Sequence, residues 1–319
     1  MKIGLNVYPL NSAHKDRGVG YYTKRLLEYL KKDESVEVVE FNNITSLKKV
    51  DIVHYPWFDL FFPTLPLRKK YPTVVTIHDV IPLIFADHYP VGIKGRINLF
   101  RQKISLRGSK HIITDSETSQ KDISKYLNIS SGKISTIYLG VSKAFKPLHD
   151  TQLLHIKRVY KLPDRFLLYV GDANWVKNLP FLIEGFSKII KKAKLEEVKL
   201  VLVGGVFLKN VDNINHPELE SLKRVNKLIQ QLHLEDKIIK IGNINQDDLV
   251  GFYNLATIYI QPSFYEGFGL PLLEAFACGT PVVCSNKGSL PEVGGDAALY
   301  FDPTNIDQFT AVISDLLQN

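Results

Sequence analysis

Short β-branched runs alternate with stretches of helical periodicity along all 319 residues, and nothing else in the chain restricts its fold as much. In the first half KIGLNVY, VEVVEF, DIVHY, TVVTIHD, HIITDS and ISTIYLG read as strands. GYYTKRLLEYLKK, GRINLFRQKISLRG and TSQKDISKYL, lying between them, have helical spacing of apolar residues. In the second half the strands are RFLLYVG, KLVLVGG, KIIKIG, TIYIQPS, TPVVCSN and AALYFDP. Their helices are LPFLIEGFSKIIKKA, PELESLKRVNKLIQQL, NQDDLVGFYNLA and PLLEAFACG. Strand–helix alternation requires crossover connections, and these build parallel sheets. The expected fold class is α/β, with two doubly wound parallel-sheet domains in series. Residues 1–142 form the first domain, 143–165 a strandless linker, and 166–319 the second. Such sheets bind ligands beyond the carboxyl ends of their strands, so two of them face to face would share a central cleft.

Charge divides along the same line. Residues 1–165 hold 27 Lys+Arg against 15 Asp+Glu, a net +12, and residues 166–319 hold 13 against 18, a net −5. A basic first half suits an anionic partner: nucleic acid, phosphorylated lipid or an acidic membrane surface. Lysines kept for solubility would give the same balance. No run approaches the roughly 18 apolar residues that span a bilayer, and the N-terminus reads as a strand rather than a signal peptide. Cys278 and Cys284 flank a short turn without metal-ligand companions, which fits a buried thiol pair in a reducing compartment.

The stretch FYEGFGLPLLEAFACGTPVV carries the most chemistry. Pro271 suits a first helical turn and Gly279 its C-terminal cap. Gly267 and Gly269 permit close backbone approach to a ligand, and the amides of the helix start suit a diphosphate. Glu266 and Glu274 bracket this turn. Either glutamate alone reads better as a dipole-complementing or exposed residue; the pair around the glycines, just after a strand, points to binding. Lys177 and Asn178 follow the strand RFLLYVG, and a cation at a helix start, otherwise unfavourable there, could neutralise a leaving diphosphate. His78 ends the strand TVVTIHD, a position that suits a hydrogen-bonding role at a site.

The E-x7-E spacing within YEGFGLPLLEAFACGTPVV resembles the signature of retaining glycosyltransferases of family 4, which have the GT-B fold of two Rossmann-like domains. RGVGYYTKRLLEYL, PTVVTIHDVIPL, ITDSETSQKDI, YVGDANWVKNLPFLIEGF and SNKGSLPEVGGDAALYFDP follow in the family's order, so the resemblance runs through nearly the whole chain. It implies that Glu266 contacts the donor sugar and Glu274 the nucleotide ribose. It also implies that the amides at Phe268, Gly269 and Leu270 hold the diphosphate, and that His78 sits near the donor sugar. Base recognition is expected near Gly242 and Asn243. Relatives often have Arg-Lys where this chain has Val176-Lys177, which puts more of the phosphate contact on backbone amides. The wording is most like bacterial mannosyltransferases of surface-polysaccharide assembly. GDP-mannose is the expected donor, with UDP-glucose, UDP-galactose and N-acetylhexosamine donors left open.

Gly18 and Gly20 open the first helix, and with Glu40 they resemble a weak dinucleotide fingerprint, the mark of a nicotinamide-dependent oxidoreductase. About ten residues part these glycines from the first strand, and Thr23 stands where the third glycine belongs, so the donor-facing reading of Gly18 and Gly20 is preferred. There is no Asp-x-Asp motif and no His/Cys cluster of ligand spacing; no metal or other cofactor is expected. In GIKGRINLFRQKISLRG, five basic residues surround Ile97, Leu99, Phe100 and Ile104, as in helices that lie on anionic membranes; an ordinary sheet-covering helix has the same pattern. The expected partners are therefore a nucleotide sugar, a glycan or polyprenyl-linked acceptor and an anionic membrane surface, but not nucleic acid, for which no motif is present. A cytoplasmic location, peripheral on the inner face of the plasma membrane, follows from that reading. Family members end in a helix that crosses back to the first domain, whereas this chain stops at ISDLLQN, so a truncated second domain and a donor-binding fragment of reduced activity are also expected.

Overall fold

The computed structural model describes residues 1–319 except 16, 192–194, 212, 213, 215, 217, 218 and 319. The chain divides into two compact units, Met1–Tyr138 and Leu139–Asn319.

In the first unit β1 (Lys2–Asn6), β2 (Glu37–Phe41), β3 (Ile52–Tyr55), β4 (Thr73–Thr76), β5 (His111–Thr114) and β6 (Ile134–Thr136) form one sheet in the order β2-β1-β3-β4-β5-β6. Every pairing is parallel. The helices are α1 (Gly18–Lys32), α2 (Ile81–Ile84), α3 (Ile93–Arg107) and α4 (Glu117–Leu127). α4 begins where Ser116 accepts the Ser119 amide at 2.9 Å, an N-cap that satisfies one orphan donor. It ends at Asn128, whose φ of 54° lies in the left-handed region.

The second unit opens with α5 (Asp150–Tyr160), so residues 143–165, expected as a linker, lie inside this unit. α5 buries Ile156, and Tyr160 donates its hydroxyl to Asp248 at 2.6 Å. The sheet comprises β7 (Phe166–Val170), β8 (Lys199–Val203), β9 (Ile238–Ile241), β10 (Ile258–Gln261), β11 (Val282–Ser285) and β12 (Ala298–Phe301). Its order is β12-β11-β10-β7-β8-β9, again parallel throughout. Its remaining helices are α6 (Leu179–Ile190), α7 (Glu220–Gln231), α8 (Gln246–Leu255), α9 (Leu270–Ala277), α10 (Leu290–Gly294) and α11 (Ile306–Gln318). Residues 192 and 193, expected to end the α6 helix, and 217 and 218, expected to begin the α7 helix, lie outside the described residues.

α6 shows why this core holds. Leu182, Ile183, Phe186 and Ile189 recur at helical spacing and are all fully buried against the sheet and α11. A side chain at Gly185 would meet Phe309 of α11 at 2.4 Å, so the glycine lets the two helices approach. Phe186→Ala would remove one fully buried ring, at a cost of about 3–5 kcal/mol. Cys278 and Cys284 are both buried free thiols. Among the described residues no helix is long and apolar enough to cross a membrane.

Candidate functional site

In a doubly wound sheet the ligand crevice opens where the strand order reverses. The second sheet grows outward from β7 on both sides, so that point lies between β7 and β10. Lys177 follows β7 and Glu266 follows β10. The structure brings these two together: Lys177 Nζ donates to both Glu266 oxygens, at 2.8 and 2.9 Å. Three contacts hold their loops in place. Phe264 N donates to Val176 O at 2.8 Å, Trp175 stacks on Phe264 at 4.8 Å, and Asn178 Nδ2 donates to Pro262 O at 3.2 Å.

Glu266 is buried, and its Oε1 also accepts from Gln261 Nε2 and Ser263 Oγ, each at 2.6 Å. Gln261 is held in turn by the Tyr259 hydroxyl, which donates to its Oε1. On the opposite side Ser289 Oγ donates to Glu266 O at 3.0 Å or to Phe268 O at 2.8 Å. Gly288, with φ of 61°, presses against the Glu266 backbone, where a side chain would come within 2.8 Å of Glu266 N. Gln261, Ser263, Gly288 and Ser289 were not singled out from the sequence. The signals available were a polar pair at alternate positions ending an apolar strand, and the stretch SNKGSLPE.

Gly269, at φ 97°, turns the chain into α9, with Pro271 in its first turn. No side chain caps this helix, so the positive end of its dipole lies at Gly269 and Leu270, beside buried Phe268. Glu274 stands one turn further on and accepts a hydrogen bond from Tyr253, at 2.9 Å. Burial pushes its carboxyl up to about 7, against the lowering effect of that hydrogen bond.

Asn178, expected among the donor-binding residues, also fastens the loop locally. Both amide hydrogens are spent on backbone carbonyls, Pro262 O and Pro303 O, while its φ of 54° turns the chain into α6. Gly242 follows β9, with Leu208 packed where a side chain would project. Gly171 and Gly204 end β7 and β8 in the same way, and a side chain at Gly204 would lie 2.2 Å from Gly171 O. These strand-end glycines bring backbone to backbone at the rim that carries Gly242.

In the first unit the reversal lies between β1 and β3. His78, after β4, faces the end of β3: Nε2 donates to Pro56 O at 3.2 Å and Nδ1 to Asp115 Oδ2 at 2.6 Å. Both partners are acceptors only, so this geometry calls for the doubly protonated ring. Burial acts to lower the His78 pKa, but the Asp115 charge and hydrogen bond, with Asp79 and Pro56 O, raise it on balance. Tyr22 of α1 meets the ring edge-on at 4.7 Å, which brings the α1 start, with Gly18 and Gly20, to the same corner. Gly20 is packed against backbone, where a side chain would sit 2.3 Å from Lys15 O. A one-turn 3-10 helix at Tyr8–Asn11 separates β1 from α1, so these glycines do not directly follow the strand as a dinucleotide fingerprint requires. Glu40 pairs with Lys31 at 2.6 Å. Among the described residues no group of three or more His, Cys, Asp or Glu is placed to hold a metal ion.

Comparison with known proteins agrees with this architecture. The chain is 32% identical to O-antigen chain mannosyltransferase B of Escherichia coli over 80% of its own length and 63% of that protein's. It is 29% identical to the serotype-specific mannosyltransferase WbdA of Escherichia coli, over 77% of this chain and 29% of that one. It thus spans less than two thirds of the curated relatives it matches. The solved sucrose-phosphate synthase of Thermosynechococcus elongatus superposes with a TM-score of 0.75 at 18% identity, over 100% of this chain and 90% of that one. The glycosyltransferase WaaG of lipopolysaccharide biosynthesis does so at 0.71 and 14% identity, over 100% and 91%. These neighbours show the GT-B fold. The Glycosyltransferase Family 4 model matches residues 37–145, and the model of glycosyl transferases group 1 matches residues 151–319. That second match covers more than half of the sequence, and the chain belongs to the group 1 glycosyl transferases.

Proposed function

We propose that this chain transfers a hexose from a nucleotide-diphosphate sugar to a glycan or lipid-linked acceptor, with GDP-mannose as donor and retention of anomeric configuration. The observation that carries this is the Lys177–Glu266 pair at the strand-order reversal of the second sheet, beside the uncapped start of α9. The names of the mannosyltransferase relatives support the choice of sugar and a role in cell-envelope polysaccharide synthesis.

Without ligand, the Lys177 ammonium is neutralised by Glu266. A diphosphate at the α9 start would supply Lys177 with a second anion and release Glu266 oxygens to accept hydrogen bonds from sugar hydroxyls. Glu274, one turn into the helix, would accept from the ribose. When the bond between the anomeric carbon and the phosphate oxygen breaks, its electron pair goes to the diphosphate, whose charge Lys177 and the helix dipole stabilise. The acceptor hydroxyl attacks the same face and passes its proton to the departing phosphate oxygen. No nucleophilic side chain, metal or other cofactor is called for. A hydrogen bond from His78 to the donor sugar would first require Nε2 to release Pro56 O.

The test is thermal stabilisation by each nucleotide sugar in turn. GDP-mannose should stabilise most, by about 2.7 kcal/mol at a hundredfold excess over its dissociation constant. Stabilisation by NAD(P) and by no nucleotide sugar would overturn the reading, and a preference for a UDP sugar would overturn the donor.

A further inference from the structure

The two oxygens of Glu266 are not equivalent. Oε1 accepts from Lys177 Nζ at 2.8 Å and from Gln261 Nε2 and Ser263 Oγ, each at 2.6 Å. Among the described residues Oε2 accepts from Lys177 Nζ alone, at 2.9 Å. Tyr259, Gln261 and Ser263 alternate along β10 and its continuation, which sets them on one face of the strand. All three are buried, at 2% exposure or less. Gln261 Nε2 donates to Ser263 Oγ at 2.8 Å as well as to Glu266 Oε1, while its own Oε1 accepts from the Tyr259 hydroxyl. The reverse orientation of this amide would set its oxygen against a carboxylate oxygen, acceptor to acceptor. The Glu266 charge therefore fixes one end of Gln261, and Tyr259 fixes the other. Ser263 Oγ, which accepts from Gln261, has its single hydrogen left for Glu266.

We propose that Gln261 and Ser263 are positioning residues for the donor sugar. They hold Glu266 by Oε1, so that the carboxylate stays in place when Lys177 turns to a diphosphate, and Oε2 is the oxygen that accepts from the sugar. This inference rests on the roles of Lys177 and Glu266 proposed above. Lys177 bridges both oxygens, and a carboxylate held by nothing else would follow its ammonium with both still engaged. Two donors fixed on and just beyond a buried strand keep it back, whereas the lysine moves on a flexible four-carbon stem. Departure of the ammonium then frees Oε2 entirely and leaves Oε1 with two donors. Gln261 thereby makes the ion pair separable, and its effect falls on the sugar rather than on the diphosphate.

The experiment is calorimetric titration of the whole chain with GDP-mannose and with GDP, and with UDP-glucose and UDP as a second pair. The readout is the ratio of the two affinities within a pair, which a general loss of folded protein does not move. Gln261→Met should weaken the nucleotide sugar about tenfold, the contribution of one hydrogen bond, and leave the nucleoside diphosphate within about twofold of wild type. That variant strands the Tyr259 hydroxyl. Tyr259→Phe with Gln261→Met replaces both partners by apolar groups of similar shape, and should shift the ratio equally while melting close to wild type. Ser263→Ala should shift it in the same direction by about threefold. Glu266→Gln separates the two levels of the argument. If it leaves the ratio of both pairs unchanged, Glu266 does not contact the sugar, and the reading beneath this inference falls with it. If Glu266→Gln moves the ratio and the Gln261 variants do not, or if those variants weaken sugar nucleotide and diphosphate together, the positioning role alone is overturned.

Discussion

Glu266 accepts from Lys177, Gln261 and Ser263, whereas Glu274, eight residues on, accepts among the described residues from Tyr253 alone. Both belong to one turn and helix, yet they illustrate opposite uses of a buried carboxylate. Glu266 is embedded among donors that need its charge, so it is part of the framework as well as part of the site. Glu274 is held in a place that penalises its charge until something else donates to it.

The comparison can be broken most sharply at Glu266. Glu266→Ala would leave the Lys177 ammonium, 20% exposed, without its counter-ion, and Gln261 and Ser263 without their acceptor. A loss of about 3–5 kcal/mol is expected in urea unfolding, together with loss of turnover. Adding Lys177→Met should restore much of the stability and none of the turnover. A loss below about 1 kcal/mol would mean that Glu266 is not the node described.

Glu274→Gln should act in the reverse direction. Its folded pKa of about 7 lies above the ordinary 4.5, so the unfolded chain ionises first as pH rises. Stability attributable to this residue is therefore highest below about pH 4.5, declines between there and about pH 7, and stays low above it. At pH 8 the glutamine variant should be more stable than wild type by up to about 3 kcal/mol, while binding nucleotide about tenfold more weakly. A variant less stable than wild type at pH 8 would remove the contrast between the two glutamates.

The smallest effect extends the comparison to the first unit, where the Asp115 carboxylate faces a cation again. The raised His78 pKa means that its contribution is complete below about pH 6.5 and is lost as pH climbs through the folded value. His54, lowered to about 4 by burial and by the nearby His78, works oppositely and weakens the fold between about pH 6.5 and 4. His78→Gln should flatten the alkaline decline, a change of about 1–2 kcal/mol in denaturant titrations run from pH 6 to 9. An unchanged decline would show that the pair with Asp115 carries no pH dependence.

Strands were the most legible part of this molecule. The run TIYIQPS, residues 257–263, contains β10 at Ile258–Gln261, because β-branched side chains declare a buried strand directly. α5 is less legible because it buries Ile156 alone of its residues, against Gly251 of α8, and so leaves little apolar periodicity to read. Glu266, Lys177 and Glu274 were legible from their spacing after strands. Gln261, Ser263 and Ser289 were not, since glutamine and serine acquire meaning only when the sheet aims them at one oxygen or one carbonyl. α3 reads as a helix, but which of its stripes faces inward depends on carbonyls at 59–66, which periodicity does not reveal.

That dependence has a mechanical side. Greasy helix interfaces can slide or rotate by a fraction of a turn at little cost, since one methyl group replaces another. Asn98 and Gln102 instead engage individual carbonyls, and advancing α3 by one residue would break all of these bonds at once. The helix is keyed rather than glued: its azimuth is set to within the tolerance of a hydrogen bond, and the direction in which Phe100 points is set with it.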